Sequence, residues 1–376
     1  MSYQDEVVFR SHEMQNMYWH LPEDASSGEP VNVVLRKKGG GKGMMVSGFV
    51  TREQGFSFLT DQELGVVNQI RAGKGLDPLT TLQRVVGSDG ISRHYTYQTF
   101  EFGKGSKGYW TAEHVVKQVA EITSVLEFKF PNKKIVFIFD WSSNHDKKAQ
   151  DAILLHKMGV KWGGKAPKMR STTVQEDFDA PPPRSGLPTL GISDAKQTVQ
   201  HLVFQDGDPP PFYNRDAKDY VGCAKGLKQI LYERGLWRRN MVKMDNDRPE
   251  RSMQHQLGQC LDFQRKAKSI LEEEAERLGH RVDFLPKFHP ELNPIERCWS
   301  RSKYHVHRFC DEKFQTMKRL IDESFSEENM PVGLVQKYFS HADRYAQQYR
   351  DGCSILQAQM RMKKKSHRAT PATEAR

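Results

Sequence analysis

Long apolar runs are missing from this chain of 376 residues. No stretch approaches the ~18 residues a membrane-spanning helix needs. The opening MSYQDEVVFRSHEM has no apolar core of a secretory signal, so neither export nor a membrane partner is expected. Cysteine is scarce: Cys223, Cys260, Cys298, Cys310 and Cys353 are odd in number and far apart, which argues against a disulfide framework and for a reducing compartment. No CxxC occurs, so a zinc ribbon has no support. His305 and His307, one residue apart on a helix, would point to different faces. No phosphate-loop signature is present either: RKKGGGKG (36–43) has Gly43 after Lys42, and reads as a basic loop able to touch a phosphate backbone.

What is plentiful is positive charge. Lys and Arg number 57 against 47 Asp and Glu, a formal net charge of +10. That balance favours a polyanionic partner, of which nucleic acid is the commonest. An acidic membrane surface would call for a basic amphipathic helix beside an apolar anchor, and none is visible.

The pattern of elements is α/β. Strands are expected at 3–9, 43–50 and 95–102, with 55–60 as a hairpin partner of 43–50 and 61–92 as an irregular excursion. Thr111 is placed to cap a helix reaching about Leu126. KKIVFIFD (133–140) is the clearest strand, since five consecutive apolar residues suit burial on both faces. A helix is expected over 146–158. From 160 to 255 Pro- and Gly-rich loops mark an insertion, with a helix at 225–234. Then follow an amphipathic helix at 259–279, a strand at 282–286, a helix from Pro294 to about Phe309 and further helices over 311–362. The stretch 363–376 reads as a basic disordered tail. No internal repeat is present.

Three of these segments carry carboxylates where chemistry can happen. Asp5 sits in the opening strand, Asp140 ends the apolar strand, and Glu296 lies in the first turn after ELNP. A carboxylate ending an apolar run is costly to bury unless paired or metal-bound, and ligands gather at strand ends of α/β sheets. Each residue also has a plain alternative. WSSNH after Asp140 is turn-like, and Glu296 fits the third position of a capping box opened by Asn293 and Pro294. Together, however, carboxylates repel unless a divalent cation neutralises them. Mg2+ needs few protein oxygens, and two ions about 4 Å apart are suited to phosphodiester chemistry.

The residues around these acids resemble a known family. QDEVVF (4–9), KIVFIFDWSSNH (134–145) and FLPKFHPELNPIERCWSRSK (284–303) are similar to the three acid-bearing regions of the DDE superfamily endonucleases, transposases of eukaryotic mobile elements, distantly mariner-like. The resemblance implies an RNase H-like mixed sheet flanked by helices, with a large insertion before the last catalytic helix. It implies a core in two parts (1–159 and 256–310), an insertion at 160–255 and C-terminal helices at 311–362. It implies Asp5, Asp140 and Glu296 as catalytic, metal-binding residues for Mg2+ (or Mn2+), in all two ions, with Asn144, His145 and Asn293 placed to orient ligands. Its expected partners are DNA, as transposon ends and target, and a second copy in a homodimer; its expected location is the nucleus. The spacing from Asp140 to Glu296 is far longer than in mariner-like enzymes. An upstream helix-turn-helix module is not seen before Asp5, so a truncated or decayed copy, or a gene model with a late start, is expected. A catalytically inactive, transposase-derived DNA-binding protein and a nuclease of the same fold acting on RNA–DNA hybrids are the competing readings.

Overall fold

The computed structural model describes residues 1–13, 39–102, 105, 108–174 and 199–364. Arg36–Lys38 of the basic loop, part of the insertion and most of the tail at 363–376 lie outside the described residues. The chain forms two compact units, Met1–His145 with Glu274–Arg376, and Asp146–Glu273.

The first unit is built on a five-stranded sheet. Its strands are β1 (Ser2–Arg10), β2 (Gly43–Thr51), β6 (Tyr97–Glu101), β7 (Val136–Phe139) and β10 (Arg281–Phe284). The spatial order is β10-β7-β1-β2-β6. β1, β2 and β6 are antiparallel, whereas β7 and β10 run parallel to β1. β2, GMMVSGFVT, is buried almost throughout because helices cover both faces of the sheet. On one face Val7, Phe9, Val46, Val50 and Tyr97 pack under α7 (Ile295–Phe309), α8 (Phe314–Ser324) and α9 (Val332–Arg350). On the other, α2 (Ala112–Lys129) is tied down by Gln118, which accepts from Ser47 Oγ at 2.7 Å. A mixed sheet between two helical layers is the RNase H-like arrangement, as the resemblance implied.

Some local expectations fail. Phe58–Thr60 (β3) does not join the main sheet; it pairs with β5 (Ser92–Tyr95), which also pairs with β4 (Gln83–Val86). The stretch read as irregular opens with α1 (Asp61–Gly73), held at its start by a capping box between Thr60 and Glu63. A tenth helix, α10 (Ile355–Lys364), closes the described chain.

The second unit has its own core, in which Ile153, Met169, Leu202, Leu227, Ile230 and Phe263 pack together. Its elements are β8 (Thr172–Thr173), β9 (Val199–Gln200), α3 (Gly226–Glu233), α4 (Met253–Gly258), α5 (Leu261–Lys266) and the first half of α6 (Ile270–Arg277). The expected helix at 146–158 is only a single 3-10 turn at Leu155–Lys157. The expected helix at 259–279 breaks before Ile270, because Ser269 and Glu272 cap a new start, with Ser269 N donating to Glu272 Oε2 at 2.7 Å. A buried pair, Arg234 on Asp262 at 2.6 Å, is satisfied further by Thr172 and Gln200. Leaving either charge alone there would be costly, so the pair fixes how these segments dock. This unit runs from Asp146 to Glu273, a wider span than 160–255.

Candidate functional site

β1 is the strand from which the site is built. Successive side chains of a strand face opposite ways, so the neighbours Asp5 and Glu6 are separated by the sheet itself. Asp5 shares a face with Val7 and Phe9, under α7. Glu6 shares the other with Gln4, on the side of α2.

The parallel register pairs Tyr3 with Ile138. Two residues further on in each strand, Asp5 and Asp140 therefore stand at the same level, Asp140 just past the end of β7. α7 crosses above, and it is anchored there by Ile295, Cys298, Trp299 and Val306, all buried. Its first turn delivers Glu296. The Asp5 and Glu296 carboxyls come near enough to act on one another, and the Asp140 charge acts on both. Acids from three distant segments thus converge beside the central strand, past the end of β7.

The electrostatics follow. Burial, and then the charges of Glu296 and Glu6, raise the Asp5 pKa well above the usual carboxylate range. Glu296 reaches solvent, yet burial of its carboxyl and the Asp140 charge raise its pKa too. Two acids this close resist being ionised together unless a cation neutralises them.

Asp5 is held from two sides. Its Oδ1 accepts from Glu6 N at 2.8 Å, and its Oδ2 accepts from the Trp299 indole at 3.1 Å. The indole can come this near because residue 48, opposite Asp5 on β2, is glycine. A Cβ there would stand 3.0 Å from Trp299 and from Phe56.

Asp140 is held by His145, which is wholly buried. His145 Nδ1 lies 2.8 Å from Asp140 Oδ1 and 3.2 Å from its main-chain oxygen. The other ring nitrogen faces Glu6 Oε1 at 3.4 Å. Glu6 Oε1 also accepts from Gln4 at 2.9 Å and from the Trp110 indole at 3.1 Å. Burial alone would lower the His145 pKa, but its contacts with Asp140 and Glu6 outweigh that and lift it to about 10.

The remaining expected site residues have structural partners. Asn144 donates to Trp110 O at 3.4 Å. Asn293 donates to Gln4 O at 3.5 Å, tying the start of α7 to β1. The capping-box alternative for Glu296 does not hold: Pro294, not Asn293, stands at the cap, and the first helical amide, Ile295 N, donates to Asn293 Oδ1 at 3.4 Å with no reciprocal bond from Glu296. Glu296 is therefore free of that local task.

Glu6, Trp110 and Trp299 were not singled out from the sequence as partners of the acids. The signal for Glu6 was the strand period itself, since in an Asp-Glu pair within a buried strand the second acid needs partners of its own. The indole donors had no such signal. Among the described residues, no group of three or more His, Cys, Asp or Glu is arranged to hold a metal ion. The donor set around Asp5 is nonetheless all carboxylate oxygen, which suits a hard divalent cation.

Residues 227–321 match the family model described as DDE superfamily endonuclease. Over that segment the chain is similar to the DDE superfamily endonucleases. The match runs from α3 to α8, about a quarter of the chain, and includes Glu296 but not Asp5 or Asp140. It carries no mark of a mariner-like affiliation. No curated protein matches the chain.

Proposed function

We propose that this protein is a metal-dependent DNA endonuclease and strand-transfer enzyme whose Asp5, Asp140 and Glu296 hold Mg2+ or Mn2+. The observation that carries the reading is the meeting of the Asp5 and Glu296 carboxyls, with the Asp140 charge acting on both. Such a cluster is unfavourable when ionised and becomes favourable once a divalent cation sits among its oxygens. When bound, two such ions supply Lewis acidity, a more acidic water and charge for the leaving oxygen.

The chain's own groups do the positioning. Trp299 and the Glu6 amide hold the two Asp5 oxygens apart in fixed directions. His145, backed by Glu6, fixes the Asp140 carboxylate. α7 sets Glu296 opposite both. The reaction is displacement at phosphorus. Water oxygen bonds to phosphorus, the bond to the 3′ oxygen breaks, and a 3′-hydroxyl and a 5′-phosphate result. In strand transfer that hydroxyl attacks a second phosphodiester, so one bond is made for each bond broken and no enzyme-linked intermediate is needed.

The test is cleavage of duplex DNA with Mg2+ or Mn2+ by the full chain and by Asp140→Asn and Glu296→Gln. Both variants should lose activity by at least about a hundredfold, as removal of a principal electrostatic contributor does. Full activity in both would refute the assignment. Salt-sensitive DNA binding with no cleavage under any divalent ion would favour the non-catalytic reading.

A further inference from the structure

Beside Glu296 lies a groove of about 720 Å³ between the first turns of α7 and the flank of α9. α7 contributes Arg297, Ser300 and Arg301 to it, and α9 contributes Tyr338 and Tyr345. Its size falls within the roughly 300–1,000 Å³ of ordinary ligand pockets. Its lining brings these arginines and tyrosines together with the acids Glu291 and Glu296.

Among the described residues neither arginine forms an ion pair with these acids. Arg297 Nη2 donates to His341 Nε2 at 2.7 Å, so its guanidinium faces an imidazole and not a carboxylate. Burial, then Arg297 and Arg344, push the His341 pKa down to about 4, which keeps that ring uncharged. The other ring nitrogen, Nδ1, is buried without a hydrogen-bond partner. The nearby acids have other neighbours: Asp343 pairs with Arg52, Glu291 takes bonds from Tyr349 and from His289, the latter at 2.8 Å, and Glu296 faces Asp5. Arg297 and Arg301 are four residues apart, about 6 Å along one helix face. Along α9 the His341 and Tyr345 rings follow one another with centroids 5.1 Å apart.

We propose that this groove binds the DNA strand that runs past Glu296, with Arg297 and Arg301 on successive phosphates and Tyr338 and Tyr345 against unpaired bases. Two arginines in a fixed row match the repeated charge of a strand better than a single small anion, since one phosphate would leave the other guanidinium without a partner. Aromatic faces beside a cationic track are the means by which single strands are held without reading sequence. The proposal rests on the nuclease reading, which it extends by giving the path of the strand leaving the carboxylates.

The test uses the full chain and a fluorescent duplex bearing a single-stranded overhang, in EDTA so that nothing is cut, titrated at several salt concentrations. The double variant Arg297→Ala/Arg301→Ala should bind about tenfold more weakly. Its slope of log affinity against log salt should fall by about 1.4, or about 0.7 for each single-strand phosphate that is no longer neutralised. The double Arg→Lys variant should restore that slope. Tyr345→Ala should lose about five- to tenfold on the overhang substrate, with the slope kept and a blunt duplex bound as before. An unchanged slope in the double alanine variant, or no DNA binding by the wild type, overturns the proposal. Cleavage in Mg2+, and its loss in Glu296→Gln, reads the nuclease assignment separately. Binding through the arginines without cleavage leaves the groove standing and the nuclease reading fallen, and cleavage with an unchanged slope does the reverse.

Discussion

Gly48→Ala is the smallest change that reaches the carboxylates without touching them. Gly48 faces Asp5 on one side and Tyr97 on the other within the sheet. An added Cβ would meet Phe56 and Trp299 ring atoms at 3.0 Å and Tyr97 Cβ at 3.2 Å. Separations this short require a neighbour to give by a few tenths of an ångström. Tyr97 Cβ is fixed to the backbone of β6, and Phe56 is wedged against Phe325, with centroids 5.1 Å apart. The Trp299 indole is therefore the group that moves. Its 3.1 Å hydrogen bond to Asp5 Oδ2 lengthens as it does. Overpacking of this kind costs about 1–3 kcal/mol. Alanine recovers about 0.5–1 kcal/mol over glycine in a strand, so the net loss should centre on about 1 kcal/mol and reach at most about 2.5 kcal/mol. Urea unfolding followed by near-ultraviolet circular dichroism should show a lower midpoint at unchanged m-value. Cleavage should fall further than stability explains, at least tenfold under conditions where the variant is fully folded. A variant within about 0.5 kcal/mol of wild type that retained full cleavage would refute the claim that Trp299 holds Asp5 through this contact.

Two further outcomes follow from the charges. Mg2+ at about a hundred times its dissociation constant should stabilise the protein by about 2.7 kcal/mol, read as a raised Tm; the same rise in Asp5→Asn would separate the ion from these acids. Asp322 lies away from the site, where burial lifts its carboxyl from 3.8 to about 6 despite hydrogen bonds from Tyr97 and Gln83. The folded state thus binds that proton more tightly than the unfolded state does. Its penalty is absent below about 3.8, grows as pH rises, and is complete above about 6, at up to about 3 kcal/mol. Asp322→Asn should remove that part of the pH dependence, so the stability difference between variant and wild type should shift in favour of the variant from pH 4 to pH 7. A difference that stays constant over the range would contradict it.

The parts of the fold that the sequence made legible are those where one local signal dominates. The run IVFIF could only be a strand buried on both faces, and NPIE followed by Cys298, Trp299 and Val306 at helical spacing could only lay one face on the sheet. α1 escaped notice because DQELGVVNQIRAG buries only Val67 and Arg71 and has a glycine in its middle, so its apolar face is faint. The expected helix at 259–279 had the right period but also a serine and a glutamate three apart inside it, and the capping box they form outweighs continuity. For the site, the positions of the acids along the chain were legible, whereas their supports were not. Trp299 reads as a core residue in any pattern, and its indole N–H matters only because Gly48 opens room 251 positions away in the numbering.

The Asp5-Glu6 pair shows why adjacency in sequence misleads here. In a helix or loop two neighbouring acids would be natural co-ligands. In β1 the sheet divides them, and each is given separate work. Asp5 turns toward α7 and meets Glu296. Glu6 turns toward α2, where Gln4, Trp110 and His145 converge on one of its oxygens. Through His145 the second acid bears on Asp140, so the two faces of a single strand support two different carboxylates of the cluster. A Glu6→Gln change would keep the shape but leave the buried His145 ring without its second acidic neighbour, whereas Asp5→Asn would act on the cluster directly. The strand period, more than the count of acids, decides which of the two belongs to the site.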